Sequence, residues 1–370
     1  SSCHARFNIS IISQAIKSYS PSIPWDITSN LVHRHRHHHP SSPSSSSSTS
    51  LSLSAASSAV LASFRLTGKV AVVTGGYGTL GVHLCRALLQ AGAACVFVLG
   101  RSADKCARAV RAFNDEEEEG DGERRARALI ADVTDAAQLE AACAQVRRQC
   151  GRLDILVNAA GGNAAGATVA PAQSFFDMDV DAFKANVDLN LMGTVLPTKI
   201  FGRLMSEGNA ASAAVASAAP TTGAAGGGAS AAAPGEPVAG PAEGVIVNIS
   251  SMAAQRPISR VVAYSAAKSA VDSFTRWMAT EMAQKVSTRI RVNAIAPGFF
   301  LADQNRRLLT QEDGSLTARG ETIIKATPVG RFGNPSELCG PLVWLCSDAA
   351  SFVTGIVVPV DGGFSGWCAV

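Results

Sequence analysis

Tyr264 and Lys268 stand four residues apart in the stretch VIVNISSMAAQRPISRVVAYSAAKSAVDSFTRW, and Ser251 precedes the tyrosine by thirteen. On a helix, residues i and i+4 share one face. An ammonium held beside a phenol favours the phenolate and is expected to lower its pKa from about 10. Such a group can give or take a proton near neutral pH. Ser251 follows the run VIVNIS, which has the composition of a buried strand, so its hydroxyl can reach the same spot from the strand's end. Taken alone, a Tyr-x-x-x-Lys pair equally describes the surface of an ordinary helix, and the elements around it must decide.

Those elements begin near residue 70, in LTGKVAVVTGGYGTLGVHLCRALLQAGAACVFVLGR. KVAVVTG predicts a buried strand, VHLCRALLQAGA a helix stopped by glycine, and CVFVLG a second strand. In the turn between the first strand and the helix, Gly76-Tyr77-Gly78-Thr79-Leu80-Gly81, preceded by Gly75 as a further cofactor-binding candidate, satisfies G-x-G-x-x-G in the context that pattern needs. Its glycines let the backbone approach a diphosphate, and the helix N-terminus offers unpaired N–H groups. A purely structural glycine turn is the alternative. At the end of the second strand, Leu99-Gly100-Arg101-Ser102 contains no carboxylate to hold a ribose 2′-hydroxyl. Arg101 can pair with a 2′-phosphate, which favours NADP(H) over NAD(H), or it is a solvated arginine flanking adenine. Asp132-Val133, after ARALIA, ends a third strand and can touch adenine. Asn158-Ala159-Ala160-Gly161, after LDILV, ends a fourth, where small residues let a cofactor lie on the backbone.

With the glycine turn, NAAG, Ser251, Tyr264 and Lys268 in this order, the chain resembles the short-chain dehydrogenase/reductases from about Leu66 onward. The resemblance implies a nicotinamide cofactor, NAD(P), and a small-molecule substrate. It assigns IRVNAIAPG, ending at Pro297-Gly298, to the sixth strand and the loop under the nicotinamide, and FVTGIVVPVDGG to the last strand. It implies a fourth catalytic residue, Asn190 in DLNLMGT, holding a water that links Lys268 to solvent. In the family the glycine turn is usually T-G-x-x-x-G-x-G; here Thr79 stands where the middle glycine is expected. A similar turn marks the D-mannonate oxidoreductase (fructuronate reductase) subgroup. The segments NAAGGN, QSFFDMD, DLNLMGTVLPTKIFG and APGFFLADQNRRLLTQEDGSLTARG resemble that subgroup too.

That resemblance implies hydride transfer between nicotinamide and a sugar acid, with Tyr264 as acid for reduction and base for oxidation. Ser251 would bond the substrate oxygen. A sugar acid calls for a cation, since arginine pairs with carboxylate bidentately. Arg260 lies four residues before Tyr264, on the same helical face if the helix extends that far, and Arg256, Asn305 and Arg306 are further candidates. Asn163 can meet sugar hydroxyls or serve as a turn residue. The segment Asp303-Gln304-Asn305-Arg306, a lid over the substrate in the family, is too polar for greasy ketones. The other readings are the same chemistry on another carbonyl, such as a 3-oxoacyl thioester, and a non-catalytic nucleotide-binding sensor, which would not need the tyrosine.

The alternation of strands and helices over 64–370 predicts one Rossmann-type α/β domain: a doubly wound parallel sheet flanked by helices. A net charge of +3 gives no argument for nucleic acid, and no apolar run approaches a membrane span. Nine cysteines occur without C-x-x-C, so neither a metal site nor disulfides are expected. Cys143/Cys150 and Cys339/Cys346 have the spacing of one helix face and are expected to pack. Residues 1–63 are Ser-rich, nearly free of acids and hold six of the seven histidines. They predict a disordered extension. Their composition also fits a transit peptide, so cytoplasm and an organelle (chloroplast or mitochondrion) both stay open. The chain does not begin with Met, which equally suits a mistranslated leader or a fragment. DEEEEGDGE at 115–123 is expected to be a solvated acidic loop, and the Ala/Gly/Pro/Ser-rich insert at 206–243 a flexible surface loop. Apolar faces around SAVDSFTRWMATEM, with the family's habit, imply a homodimer or homotetramer.

Overall fold

The computed structural model describes residues 59–117, 125–207, 242–301 and 305–367. The expectations for the N-terminal tract, the acidic run from 118 onward, most of the 206–243 insert, and Asp303 and Gln304 lie outside the described residues.

The sheet is built from β1 (Val70–Thr74), β2 (Cys95–Gly100), β3 (Ala126–Ile130), β4 (Ile155–Asn158), β5 (Gly244–Ile249), β6 (Ile290–Pro297) and β7 (Val357–Val360). Among the described residues these form one seven-stranded sheet in the order β3-β2-β1-β4-β5-β6-β7, each adjoining pair parallel. A parallel sheet is covered on both faces, so its strands are nearly continuous runs of apolar residues. β1, β2, β4, β5 and β6 are buried at every position. Alternate residues divide between two cores. Ala71, Val73, Val96 and Val98 join Leu84 and Leu88 of α1 (Thr79–Gln90) and Leu342 and Leu345 of α9 (Cys339–Cys346). Val70, Val72, Phe97 and Leu99 join Leu139 of α3 (Ala136–Cys150) and Phe201 of α5 (Gly193–Ser206) on the other face. Met278 of α6 (Val262–Glu281) packs there as well. The expected doubly wound sheet is what forms. Cys143 and Cys346 are buried, one in each core.

Helix boundaries follow local chemistry. Asp135 accepts from the N–H groups of Ala137 and Gln138 at the start of α3, and Gly151, at φ 66°, closes it in the left-handed region. α2 (Ala103–Glu117) connects β2 to β3, and α4 (Val180–Val187) runs into a π turn at Asp188–Met192 before α5. Two short helices, α7 (Arg306–Leu309) and α8 (Ala318–Ala326), follow β6. Gly320 of α8 lies so close to α7 that an added Cβ would stand 2.3 Å from the Leu309 carbonyl oxygen. Among the described residues no helix is long and apolar enough to cross a membrane.

Candidate active site

Strand order reverses between β1 and β4, and in open α/β sheets ligands settle outside the carboxyl ends of the strands at such a point. A cleft of about 530 Å³ opens there. Its floor is the glycine turn. Gly75 adopts φ 64°, and its carbonyl accepts from the Gly78 N–H at 2.9 Å. A Cβ on Gly81 would stand 2.2 Å from that carbonyl, so only glycine lets α1 begin this close to the turn. α1 has no side-chain cap and no acidic residue in its first turn. Its leading N–H groups are therefore left for an anion, and the cradle fits the diphosphate of a dinucleotide. Gly75, Tyr77, Gly78, Thr79, Leu80 and Gly81 all line the cleft. Thr79, the departure from the family's turn, is the first residue of α1 and is half-buried without disturbing it. Gly76 does not line the cleft; its missing side chain makes room for Cys85 and Val98 in the core.

At the outer end the Tyr77 ring closes over Gly100, where a Cβ would meet it at 2.1 Å. Arg101 lines the cleft and lies 3.6 Å from the carboxylate of Asp132. Burial pushes the Asp132 carboxyl up, but hydrogen bonds from Thr134 and the Arg101 charge outweigh it and hold the group below its usual range. Asp132 is thus occupied by Thr134 and Arg101 and does not line the cleft, whereas Val133 does. Lys105, four residues past Arg101 on α2, also lines it and sits 5.8 Å from the Tyr77 ring centre. That second cation was missed in the sequence, although i+4 spacing from Arg101 was its signal.

Deeper in the cleft the NAAG loop is pinned from below. The N–H groups of Ala159 and Ala160 both donate to the Thr74 hydroxyl at 3.0 Å. Asn190, fully buried in the π turn, donates to the Gly162 and Asn186 carbonyls at 2.7 and 2.8 Å and accepts from the Gly162 N–H at 3.0 Å. A Cβ on Gly161 would stand 2.7 Å from the Asn190 Oδ1 and 3.3 Å from the Lys268 Nζ. Asn190 therefore clamps the loop, and its side-chain amide is already engaged by protein groups. Ala159 and Gly161 line the cleft; Asn158 does not, its amide donating to Thr198 and Asn248 in the interior. Pro297 and Gly298 close the far wall, and Gly298 is packed so tightly that a Cβ would reach 2.6 Å from the Asp361 Cα.

Ser251, Tyr264 and Lys268 line the same cleft. Ser251 caps a 3-10 turn, its hydroxyl accepting from the Ala253 N–H at 3.1 Å. Lys268 is buried and donates to the Ile249 carbonyl at 2.7 Å. Its Nζ lies 5.8 Å from the centre of the Tyr264 ring. Contrary to expectation, the phenol is not acidified beside this ammonium. Burial pushes Tyr264 above its ordinary value, and the opposing influence is a hydrogen bond from Ser251. Lys268 itself is pushed down to about 8 by burial, against the attraction of Asp272. Buried Asp272 is held up by desolvation, countered by a hydrogen bond from Ser250 and by nearby cations.

The expected substrate residues divide. Asn163 and Asn305 line the cleft, with Asn305 also donating to the Phe300 carbonyl at 2.8 Å. Arg306 is exposed at the start of α7 and Arg256 donates to the Ser365 carbonyl at 2.8 Å; neither lines the cleft. α6 begins only at Val262, so Arg260 is not on the helical face of Tyr264. It is instead the one non-glycine residue with positive φ among the described residues, at 75°, a conformation that costs about 1–3 kcal/mol.

A diphosphate cradle, a proton-bearing phenol and a buried amine sharing one cleft mark a nucleotide-dependent oxidoreductase. Residues 69–234 match the short chain dehydrogenase family, and 224–365 match the family described as enoyl-(acyl carrier protein) reductase. The oxidoreductase UxuB of Bacillus subtilis is 39% identical over 314 residues, covering 82% of this chain and 98% of that protein. A candidate D-mannonate oxidoreductase from Haemophilus influenzae, solved with bound NAD, is 31% identical with a TM-score of 0.67 over 84% of this chain and 100% of its own. A gluconate 5-dehydrogenase from Burkholderia cenocepacia, solved with NADP and tartrate, is 30% identical with a TM-score of 0.64 over 83% and 99%. The chain belongs to the short-chain dehydrogenase family and is an NAD(P)-dependent enzyme acting on CH–OH groups.

Proposed function

We propose that the enzyme interconverts a secondary alcohol and a ketone on a sugar acid of the D-mannonate/D-fructuronate type. The observation that carries this reading is the presence of Ser251, Tyr264 and Lys268 in one cleft with the glycine cradle. A bound nicotinamide supplies or accepts the hydride there. Tyr264, its phenol raised by burial, is protonated at neutral pH and gives its proton to the substrate oxygen during reduction; oxidation calls on the phenolate as base. Ser251 steadies the charge that develops on that oxygen. Lys268 places a cation on the nicotinamide side, and Asn190 keeps the NAAG loop beneath it.

The sugar-acid assignment is supported by the names of the two solved relatives and by the polar residues Asn163 and Asn305 at the substrate end. NADP(H) is the favoured cofactor, because Arg101 and Lys105 bring two cations to the ribose end and β2 ends without a carboxylate. Asp132 competes for Arg101 and weakens that preference. A homodimer or homotetramer is the favoured assembly, since the large apolar side chain of Trp277 on α6 is 59% exposed. The test follows nicotinamide absorbance with D-fructuronate, D-mannonate and their epimers, using NAD(H) and NADP(H) in parallel. Turnover of these acids is expected, with NADP(H) giving the higher kcat/KM. Turnover confined to 3-oxoacyl thioesters would contradict the assignment.

A further inference from the structure

We infer that Arg319, paired with Arg260, forms the carboxylate-binding end of the substrate site. The inference rests on the sugar-acid reading above and names the groups that would impose it. Arg319 lies in the first turn of α8, and its Nη1 donates to the Ser259 hydroxyl at 3.3 Å. That bond joins the segment after β6 to the residue next to Arg260. The Arg260 carbonyl in turn accepts from the Val169 N–H at 3.0 Å, and Val169 lies in the same loop as Asn163, which lines the cleft. Three chain segments thus meet around these two arginines. Four residues of chain keep the Arg260 Cα within about 14 Å of the Tyr264 Cα. Neither arginine lines the cleft as it stands. An acid several carbons long, with its hydroxyl at Tyr264, would extend its carboxylate past the lining residues toward them.

The electrostatics ask for an anion. Both arginines are half-buried. Burial and the charge of Arg260 push Arg319 below its ordinary value. Among the described residues neither Arg260 nor Arg319 has a carboxylate within ion-pair distance. Two like charges held together without a counter-ion disfavour each other. Here one is fixed by Ser259 and the other sits on a strained backbone. A carboxylate between them relieves the repulsion and accepts charge-assisted hydrogen bonds from both.

The test compares the wild type with Arg319→Gln, Arg319→Lys and Arg260→Gly. Glycine removes the cation while suiting the left-handed backbone. Each is assayed on a sugar acid, the matching neutral polyol and a sugar phosphate, with dinucleotide Kd and Tm as controls for folding. In Arg319→Gln and in Arg260→Gly the ratio of kcat/KM for acid to that for polyol is expected to fall about 10–100-fold, with partial recovery in Arg319→Lys. A ratio unchanged in both variants overturns the site, as does an equal loss on acid and polyol, which marks a structural role. A wild type that prefers the phosphate overturns the carboxylate assignment. If the wild type oxidises polyols but turns over no sugar acid, the sugar-acid function fails. Inhibition of polyol oxidation by the acid, abolished in Arg319→Gln, would still support the arginine site, and absence of inhibition would overturn it.

Discussion

The chemistry of the cleft depends on what burial does to two side chains. Lys268 has a native pKa of about 8 against 10.5 for the ordinary group. Between those values the unfolded chain holds the proton and the native protein does not, so native stability rises with pH across that window. Below about 8 the cost of burying the ammonium is carried in full. Lys268→Met should therefore be more stable than the wild type at pH 7, by up to about 3 kcal/mol, with the advantage fading toward pH 10.5. Tm measured against pH for both proteins checks this; a variant less stable at both ends would contradict it. The spacing of Tyr264, Lys268 and Ser251 singled them out, because i+4 placement and a strand end are local properties, but only the glycine turn and the NAAG loop distinguished the pair from an ordinary helix surface. The direction of the phenol's shift was not. Desolvation is a property of the closed cleft around Tyr264, and the Lys268 ammonium spends a hydrogen bond on the Ile249 carbonyl.

Among the elements, the turn between β1 and α1 has the least room to vary. Gly81→Ala places a methyl 2.2 Å from the Gly75 oxygen. The turn must then move away from α1, at about 1–3 kcal/mol for overpacking. Tm should fall, and dinucleotide affinity, measured by a fluorescence titration, should fall with it. A variant unchanged in both would show that the turn does not form the cradle described. The strands were legible because five of them are buried along their whole length, which demands unbroken apolar runs such as VAVVT and CVFVLG. The π turn at Asp188–Met192 was not, since a change of hydrogen-bond register within a helical segment leaves no mark in composition. The condition set on Arg260, that α6 extend as far as that residue, is not met. Nothing in PISRVVAY announces that Arg260 takes the left-handed conformation and that the helix begins after it.

Over the whole molecule, function comes from pieces that the sheet brings together from distant stretches of sequence. The glycine turn, the NAAG loop, Ser251, Tyr264 and Pro297 converge because all follow strands that end on one side of the sheet. Their order along the chain was enough to recognise that convergence. Contacts outside this framework were invisible: Arg319 and Ser259 are sixty residues apart and meet only once α8 has folded back. The central claim is that the Tyr264 hydroxyl carries the proton of the reaction while other residues hold the dinucleotide. Tyr264→Phe tests it most directly, through turnover and dinucleotide Kd measured on the same preparation. Turnover should fall by about 10²–10⁴-fold while the dinucleotide still binds with wild-type affinity. Turnover close to that of the wild type, with the ring in place and the hydroxyl gone, would contradict the account.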